Sequence, residues 1–469
     1  MHEVAQAGAE ARTPSVRLSG PDSFWLRMDH PTNLMMINGV LLFDEPLDFD
    51  RVREVLARRL APLRRFRDRI VHSARGGPHW EPDPSFDLHR HVKRESLPAG
   101  AGEKGLRDLV SRKMSEPLDR ERPLWQFHVV EIADGGSALI GRFHHCLGDG
   151  FGLMMVMLAL TDAGPDDPIE PRANPFVDLL LRAETGFEAA WRRVEEIMPE
   201  GARLMSKPAQ MLASAALWRK TAGSAWALAR LTFRSPDSKT AFSAPRLGVD
   251  KRAAWSRAIT LDEVRAVRDG LGGTVNDILL SCMAGGIRRY LLERHGEAGC
   301  KDFRATVPVN LRPMRQLAEM GNEFGLVYLS LPVGIGDPLA RLAELRRRME
   351  ALKRSAEAPV TLWVMSLMGR MPAPAQRALV RLFASKATAV MTNVPGPNRT
   401  LYLAGRAVRD MLFWVPRSAR LSLGVSIMSY AGHVRMGVAT DAGLVPDPER
   451  IVEGFHGEFD AVRELSRTR

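Results

Sequence analysis

The residues best suited to chemistry stand together in Phe143-His144-His145-Cys146-Leu147-Gly148-Asp149-Gly150. An imidazole, with an ordinary pKa of about 6.5, is largely neutral at about pH 7, so it takes a proton from a hydroxyl and returns it to a leaving thiolate. If Ala138 to His145 is a strand, alternation puts Leu139, Gly141, Phe143 and His145 on one face and Ile140, Arg142 and His144 on the other. Only one histidine then faces a given cavity, and His145 fits the general-base role by position. Neighbours that point oppositely chelate a metal poorly, and no partner motif with ligand spacing accompanies them, so no metal site is expected. Asp149 precedes the apolar run Phe151 to Leu160 and reads first as a helix N-cap, with Gly148 and Gly150 flanking a sharp turn. Cys146 is the one candidate acyl-enzyme nucleophile beside the histidines.

A second cluster is Thr274-Val275-Asn276-Asp277. Thr274 as N-cap with Asp277 three residues on accounts for the carboxylate, and Val275, Ile278, Leu279 and Cys282 make the apolar face of the helix that follows. Asn276 is left over, because an asparagine in the first turn has only modest helical preference. Asn393-Val394-Pro395-Gly396-Pro397 follows a strand-like run and reads as a rigid turn.

The elements that must position these residues fall into two mixed halves. Before about Ala163, Asn38 to Phe43 is a strand candidate, Phe49 to Phe66 and Lys104 to Met114 have helical periodicity, and Gln126 to Ile132 pairs with Ser137 to Phe143 across Asp134-Gly135-Gly136. After Pro245, helices are expected over Leu261 to Leu271, Val275 to Arg294 and Pro338 to Lys353. Strands are expected over Ala305 to Val309, Leu326 to Val333 and Ala387 to Met391, with a hairpin of Leu421 to Met428 and His433 to Thr440. Between the halves, residues 164–245 read as a linker with its own basic amphipathic helices (Phe176 to Ile197, Leu204 to Phe233), which would suit either packing on the two halves or a membrane interface. The expected class is therefore α/β with mixed sheets: 1–163, a helical linker 164–245, and 246–469.

Composition narrows the partners. The 469 residues carry 66 Lys+Arg against 55 Asp+Glu, a net charge of +11, which favours an acidic partner. The basic residues are dispersed and match no nucleic-acid fingerprint, leaving an anionic membrane surface or coenzyme A, or no more than high arginine use. Three scattered cysteines (Cys146, Cys282, Cys300) support neither a disulfide framework nor a thiolate metal site. No apolar run reaches the roughly 18 to 20 residues of a spanning helix, and residues 1–16 contain no secretory h-region. A cytoplasmic protein, soluble or in peripheral contact with a membrane, is expected.

The histidine segment resembles the His-His-x-x-x-Asp-Gly motif of the bacterial wax ester synthase/acyl-CoA:diacylglycerol acyltransferase family, within the coenzyme A-dependent acyltransferase and condensation-domain superfamily. The same pattern continues through LSGPD (Leu18 to Asp22), FRDR (Phe66 to Arg69), Trp80 followed by His91, PLDRERPLW (Pro117 to Trp125), TVND, PVNLR (Pro308 to Arg312), Gly321-Asn322, NVPGP (Asn393 to Pro397) and Tyr430 to Pro448. These segments span about Leu18 to Glu453. The resemblance implies two chloramphenicol-acetyltransferase-like subdomains with the active site between them. It implies His145 as general base with His144 as a supporting neighbour, and Asp149 as a structural carboxylate paired with an arginine, for which Arg67, Arg69 and Arg312 are candidates. Asn276, placed at the interface, would donate to the oxyanion, Asn393 would help shape the site, and Trp125 would pack near the acyl channel. Transfer would be direct, leaving Cys146 structural.

The activity implied is O-acyl transfer from acyl-CoA to a diacylglycerol or long-chain alcohol, with no metal or redox cofactor, and the resemblance adds the lipid-droplet surface as an alternative to the membrane. Three other readings stay open: a His144–Asp149 dyad at His-x4-Asp spacing, a condensation-type enzyme taking its acyl group from a carrier protein, and a catalytically silent lipid-droplet-binding protein.

Overall fold

The computed structural model describes residues 15–73, 77–170, 229–244, 246–311, 322–355, 357–417 and 421–468. Arg312, Gly321 and most of the amphipathic linker segments lie outside the described residues. The elements of the N-terminal half are β1 (Val16–Arg17), α1 (Gly20–Met28), β2 (Met36–Phe43), α2 (Phe49–Arg59), β3 (Asp68–Ser73), β4 (Gly77–Pro82), α3 (Leu88–His91), β5 (Val92–Leu97), α4 (Gly102–Ser115), β6 (Trp125–Ile132), β7 (Ser137–His144) and α5 (Gly150–Ala159). Beyond residue 245 come β8 (Lys251–Trp255), β9 (Ile259–Thr260), α6 (Leu261–Leu271), α7 (Val275–Gly299), β10 (Phe303–Asn310), β11 (Phe324–Leu331), α8 (Pro338–Lys353), α9 (Glu357–Met368) and α10 (Ala373–Ala384). The chain closes with β12 (Ala389–Pro395), β13 (Tyr402–Leu403), β14 (Arg406–Ala407), β15 (Asp410–Trp414), β16 (Leu423–Tyr430), β17 (His433–Asp441) and α11 (Glu449–Arg467).

Two mixed sheets organise the molecule, and the class is α/β as expected. The first runs β15-β2-β7-β6-β5, antiparallel except for β5–β6; the second runs β11-β10-β12-β16-β17-β8, with β12 parallel to both of its neighbours. Strand β15, more than 300 residues downstream of β2, pairs with it through Asp410↔Leu42 to Trp414↔Asn38, so the N-terminal sheet is finished by a strand of the C-terminal half. The expected helix from Phe49 stops at Arg59 because Pro62 follows and cannot continue it; a short 3-10 turn takes Arg64 to Phe66.

The halves are bonded as well as packed. Ser115 and Ser111 of α4 accept the backbone N–H groups of Lys251 and Ala253 (both 2.9 Å), satisfying the open edge of β8. Helix α1 lies against α9 so closely that a Cβ on Gly20 would meet the Ser366 carbonyl oxygen at 2.7 Å. In the C-terminal core α7 crosses α11 at Gly286, where a Cβ would stand 2.5 Å from the Phe455 nitrogen. Both crossings need glycine because backbone meets backbone there.

Candidate active site

His145 sits one residue beyond β7, in the turn that leaves the strand; its N–H donates to the Met35 carbonyl (2.7 Å), continuing the β2–β7 ladder by one rung. Its ring lies flat on the indole of Trp25, with centroids 4.0 Å apart and planes 11° from parallel, while the Phe324 ring stands 5.6 Å away. Trp25 comes from α1 and Phe324 from β11, so both halves fix the imidazole plane. His145 is 4% exposed. Burial pushes its pKa down to about 4 against the opposing pull of Asp149 and Asp22, so the ring is neutral at physiological pH.

The backbone carrying His145 is braced from behind by Asn322 and Asp22, which lie in motif segments but have no role assigned there, and by Arg65, which lies outside those segments. Asn322 donates through Nδ2 to the His145 carbonyl oxygen (2.9 Å) and to Asp22 Oδ1 (2.8 Å). Arg65 donates to the Leu147 carbonyl oxygen (3.0 Å) and pairs with Asp22 Oδ2 (3.2 Å). Asp22 is fully buried and satisfied by one donor from each side. The signal lay in the sequence: Asp22 and Trp25 are three apart on one helix and therefore share a face. What each would meet was not legible there.

His144 points away from this cavity. Its Nδ1 accepts from the Cys146 N–H (3.1 Å), and its Nε2 lies 3.8 Å from Asp29, whose other oxygen pairs with Arg120 (2.7 Å). Asp149 N-caps α5, accepting from the Gly152 N–H (2.7 Å), and its second oxygen accepts from the Glu323 N–H (3.3 Å). His144 and Asp149 thus serve different partners and form no dyad. Burial pushes the Cys146 thiol well above its ordinary pKa, so it is a packing group and no thiolate.

The arginines differ from expectation. Arg67 stacks its guanidinium over the Phe86 ring (5.8 Å), and Arg69 lies on β3 opposite Glu81; neither is ion-paired with Asp149 among the described residues. Arg69 belongs to the small β1-β4-β3 sheet, and Arg67 closes the 3-10 turn that leads into β3. In that segment it is Arg65, on the preceding 3-10 turn, that reaches the histidine loop. Arg312 lies outside the described residues.

Thr274 and Asp277 make the expected reciprocal cap of α7. Asn276 is left to pair across the cleft: its Oδ1 accepts from Asn393 Nδ2 of β12 (2.7 Å). Asn393 and the parallel strands β10 and β12 line a cavity of about 240 Å³ that also takes in His145, Asp149, Gly150, Trp25, Phe324 and Phe413. The structure therefore brings His145, Asp149, Gly150 and Asn393 to one cavity and ties Asn276 to its rim. Trp125 is in the core, its Nε1 donating to the Phe66 carbonyl (2.8 Å) and its ring stacked on His91. Two smaller apolar recesses flank the cavity. One, under α5 and β15, shares Gly150 and Phe413 with it; the other, under α9 and α10, shares Trp25, Thr306, Leu326 and Leu421.

Solved structures share this architecture. The wax ester synthase/diacylglycerol acyltransferase from Marinobacter aquaeolei VT8 superposes with a TM-score of 0.68 at 22% identity, covering 96% of this chain and 99% of that one. The first condensation domain of the CDA synthetase gives 0.58 at 13% identity over 98% and 97%. The fold is thus the two-lobed one that acyltransferases share with condensation domains.

The sequence comparisons go further. Residues 18–279 match the wax ester synthase/diacylglycerol acyltransferase catalytic domain, and residues 320–463 match the C-terminal domain of the same family. Two relatives from Mycobacterium tuberculosis, both named as diacylglycerol O-acyltransferases, are 30% identical; one match covers 87% of this chain and 86% of the relative, the other 96% and 98%. The chain belongs to the wax ester synthase/diacylglycerol acyltransferase family and is an O-acyltransferase.

Proposed function

We propose that this enzyme transfers a long-chain acyl group from acyl-CoA to the hydroxyl of a diacylglycerol or long-chain alcohol, giving triacylglycerol or wax ester, with His145 as general base. The observation that carries the reading is a buried imidazole, clamped by Trp25, on the wall of a mainly apolar cavity between the two halves. A neutral ring accepts a proton, and an apolar wall suits hydrocarbon.

In this mechanism His145 takes the hydroxyl proton as the oxygen attacks the thioester carbonyl. The oxyanion of the tetrahedral intermediate is met by amide donors of the Asn393–Asn276 pair. Collapse breaks the carbon–sulfur bond, and the departing thiolate recovers its proton from His145. Proton and leaving group are both handled without a metal or redox cofactor. The flanking apolar recesses extend the space for the hydrocarbon chains. Substrates of this kind reside in lipid, so the protein works as a cytoplasmic enzyme in peripheral contact with a membrane or lipid-droplet surface; no helix among the described residues is long and apolar enough to cross one.

The test is coenzyme A release from palmitoyl-CoA with hexadecanol or dipalmitoylglycerol, beside His145→Ala, with products identified by mass. Alcohol-dependent release that falls roughly 10² to 10⁴-fold in the variant supports the assignment and names the acceptor. Equal rates in both proteins, or esterification of neither acceptor, would overturn it.

A further inference from the structure

Helix α10 runs along the surface with Gln376 its sole fully buried residue. Leu379, Val380 and Phe383 are half-buried, and Leu382 is exposed. Beside the end of α10, Lys386 donates to the carbonyls of Leu231 and Thr232, fixing the helical turn at 229–233, whose Phe233 ring is 86% exposed. Leu367 of α9 adds a third exposed apolar side chain. The accompanying charge has one sign: residues 370–386 contain Arg370, Arg377, Arg381 and Lys386 and no acidic residue. The three arginines are exposed and have no carboxylate partner among the described residues.

Beneath this face lies the recess of about 60 Å³ lined by Phe24, Met365, Met368, Val380 and Phe383. Its walls Trp25, Thr306, Leu326 and Leu421 are also walls of the cavity that holds His145. An exposed apolar and cationic surface thus stands over an apolar recess that shares walls with the cavity of the proposed base.

We propose that the α9–α10 face, with Phe233, docks on an anionic phospholipid surface and that the lipid acceptor reaches His145 from that surface between α9 and α10. Exposed phenylalanine and leucine enter the headgroup–acyl boundary, while unpaired arginines meet lipid phosphates. This rests on the lipid-acceptor reading above.

The experiment sediments the full-length protein with phosphatidylcholine vesicles containing dioleoylglycerol, with and without phosphatidylglycerol, and compares Arg377→Glu/Arg381→Glu and Phe233→Ser/Leu382→Ser. Wild type should bind the anionic vesicles at least tenfold better than the neutral ones and lose that advantage in 0.5 M salt, roughly one Debye length of 4 Å. Each variant should lose binding about tenfold. It should also lose activity on vesicle-borne dioleoylglycerol through KM, with kcat on a soluble short-chain alcohol unchanged. Unaltered vesicle binding in both variants overturns the proposal, as does light scattering that shows this face pairing two copies of the chain. Vesicle binding by wild type that both variants lose, without esterification of any alcohol, would uphold the docking face and sink the catalytic reading instead.

Discussion

Asn322 donates to the backbone carbonyl of His145 at 2.9 Å although 177 residues separate them, and the same amide nitrogen donates to Asp22. The turn that carries the proposed base is therefore held by the start of the chain and by the C-terminal half together. Position of the imidazole reports on the closure of the whole interface.

Asn322→Ala removes that brace and leaves the Asp22 carboxylate with Arg65 as its remaining side-chain partner among the described residues. Loss of a buried hydrogen bond to a charged group costs on the order of 1–3 kcal/mol. We expect a lowered unfolding midpoint and a kcat reduced more than tenfold with KM within about threefold, since the base is displaced while the cavity persists. A variant with wild-type kcat and stability would show that the brace is irrelevant to the base.

The two histidines should separate cleanly. His144→Ala removes an acceptor for the Cys146 N–H and a neighbour of Asp29, so it should destabilise by about 1–3 kcal/mol and retain activity within roughly tenfold when corrected for folded fraction. His145→Ala gives up the stack on Trp25 but also deletes a group buried without a partner on Nδ1, so it should remain folded while losing activity. Greater loss of activity in folded His144→Ala than in His145→Ala would reverse the roles.

Acid should weaken the fold in a defined window. His128, His144 and His145 are each pushed down to about 4 by burial, below their unfolded value of about 6.5. Between those values the unfolded chain binds more protons, so stability is complete above about pH 6.5 and declines toward pH 4, by on the order of 1 kcal/mol per pH unit for each residue. Urea midpoints measured from pH 7.5 to 4.5 should fall accordingly. The kcat/KM profile should show no acid limb near 6.5 and should drop only as pH approaches 4. A flat midpoint, or a limb at 6.5, contradicts the burial argument.

Asn276 and Asn393 should act as one unit. Each single alanine variant is expected to lower kcat by up to about 10²-fold, the scale of one oxyanion donor, and the double variant should be little worse than either, because the two share one hydrogen bond. Fully multiplicative losses would mean that the residues work independently.

The local chemistry of this protein was readable from its sequence because it depends on near neighbours. The Thr274–Asp277 cap, the Asp149 cap, the hairpin of β16 and β17 and the helices α6 and α8 each follow from turn residues, caps or apolar period within one element, and the structure places them within a few residues of expectation. Opposite directions for His144 and His145 also followed from alternation, although His145 has left the strand. Helices α9 and α10 escaped because Pro359, Pro372 and Pro374 break the pattern at their starts and because their exposed apolar residues obscure the buried face. Strand β15 gave no sign of its partner, since pairing with β2 is decided by the edge left open when two halves close. The same holds for the arginine: FRDR offered Arg67 and Arg69, and only the fold set Arg67 over Phe86, Arg69 in β3 opposite Glu81 and Arg65 beside Asp22. Burial, which makes His145 neutral, and the stack on Trp25, which orients it, arise when α1, β7 and β11 meet, and no period within any one of them encodes that meeting.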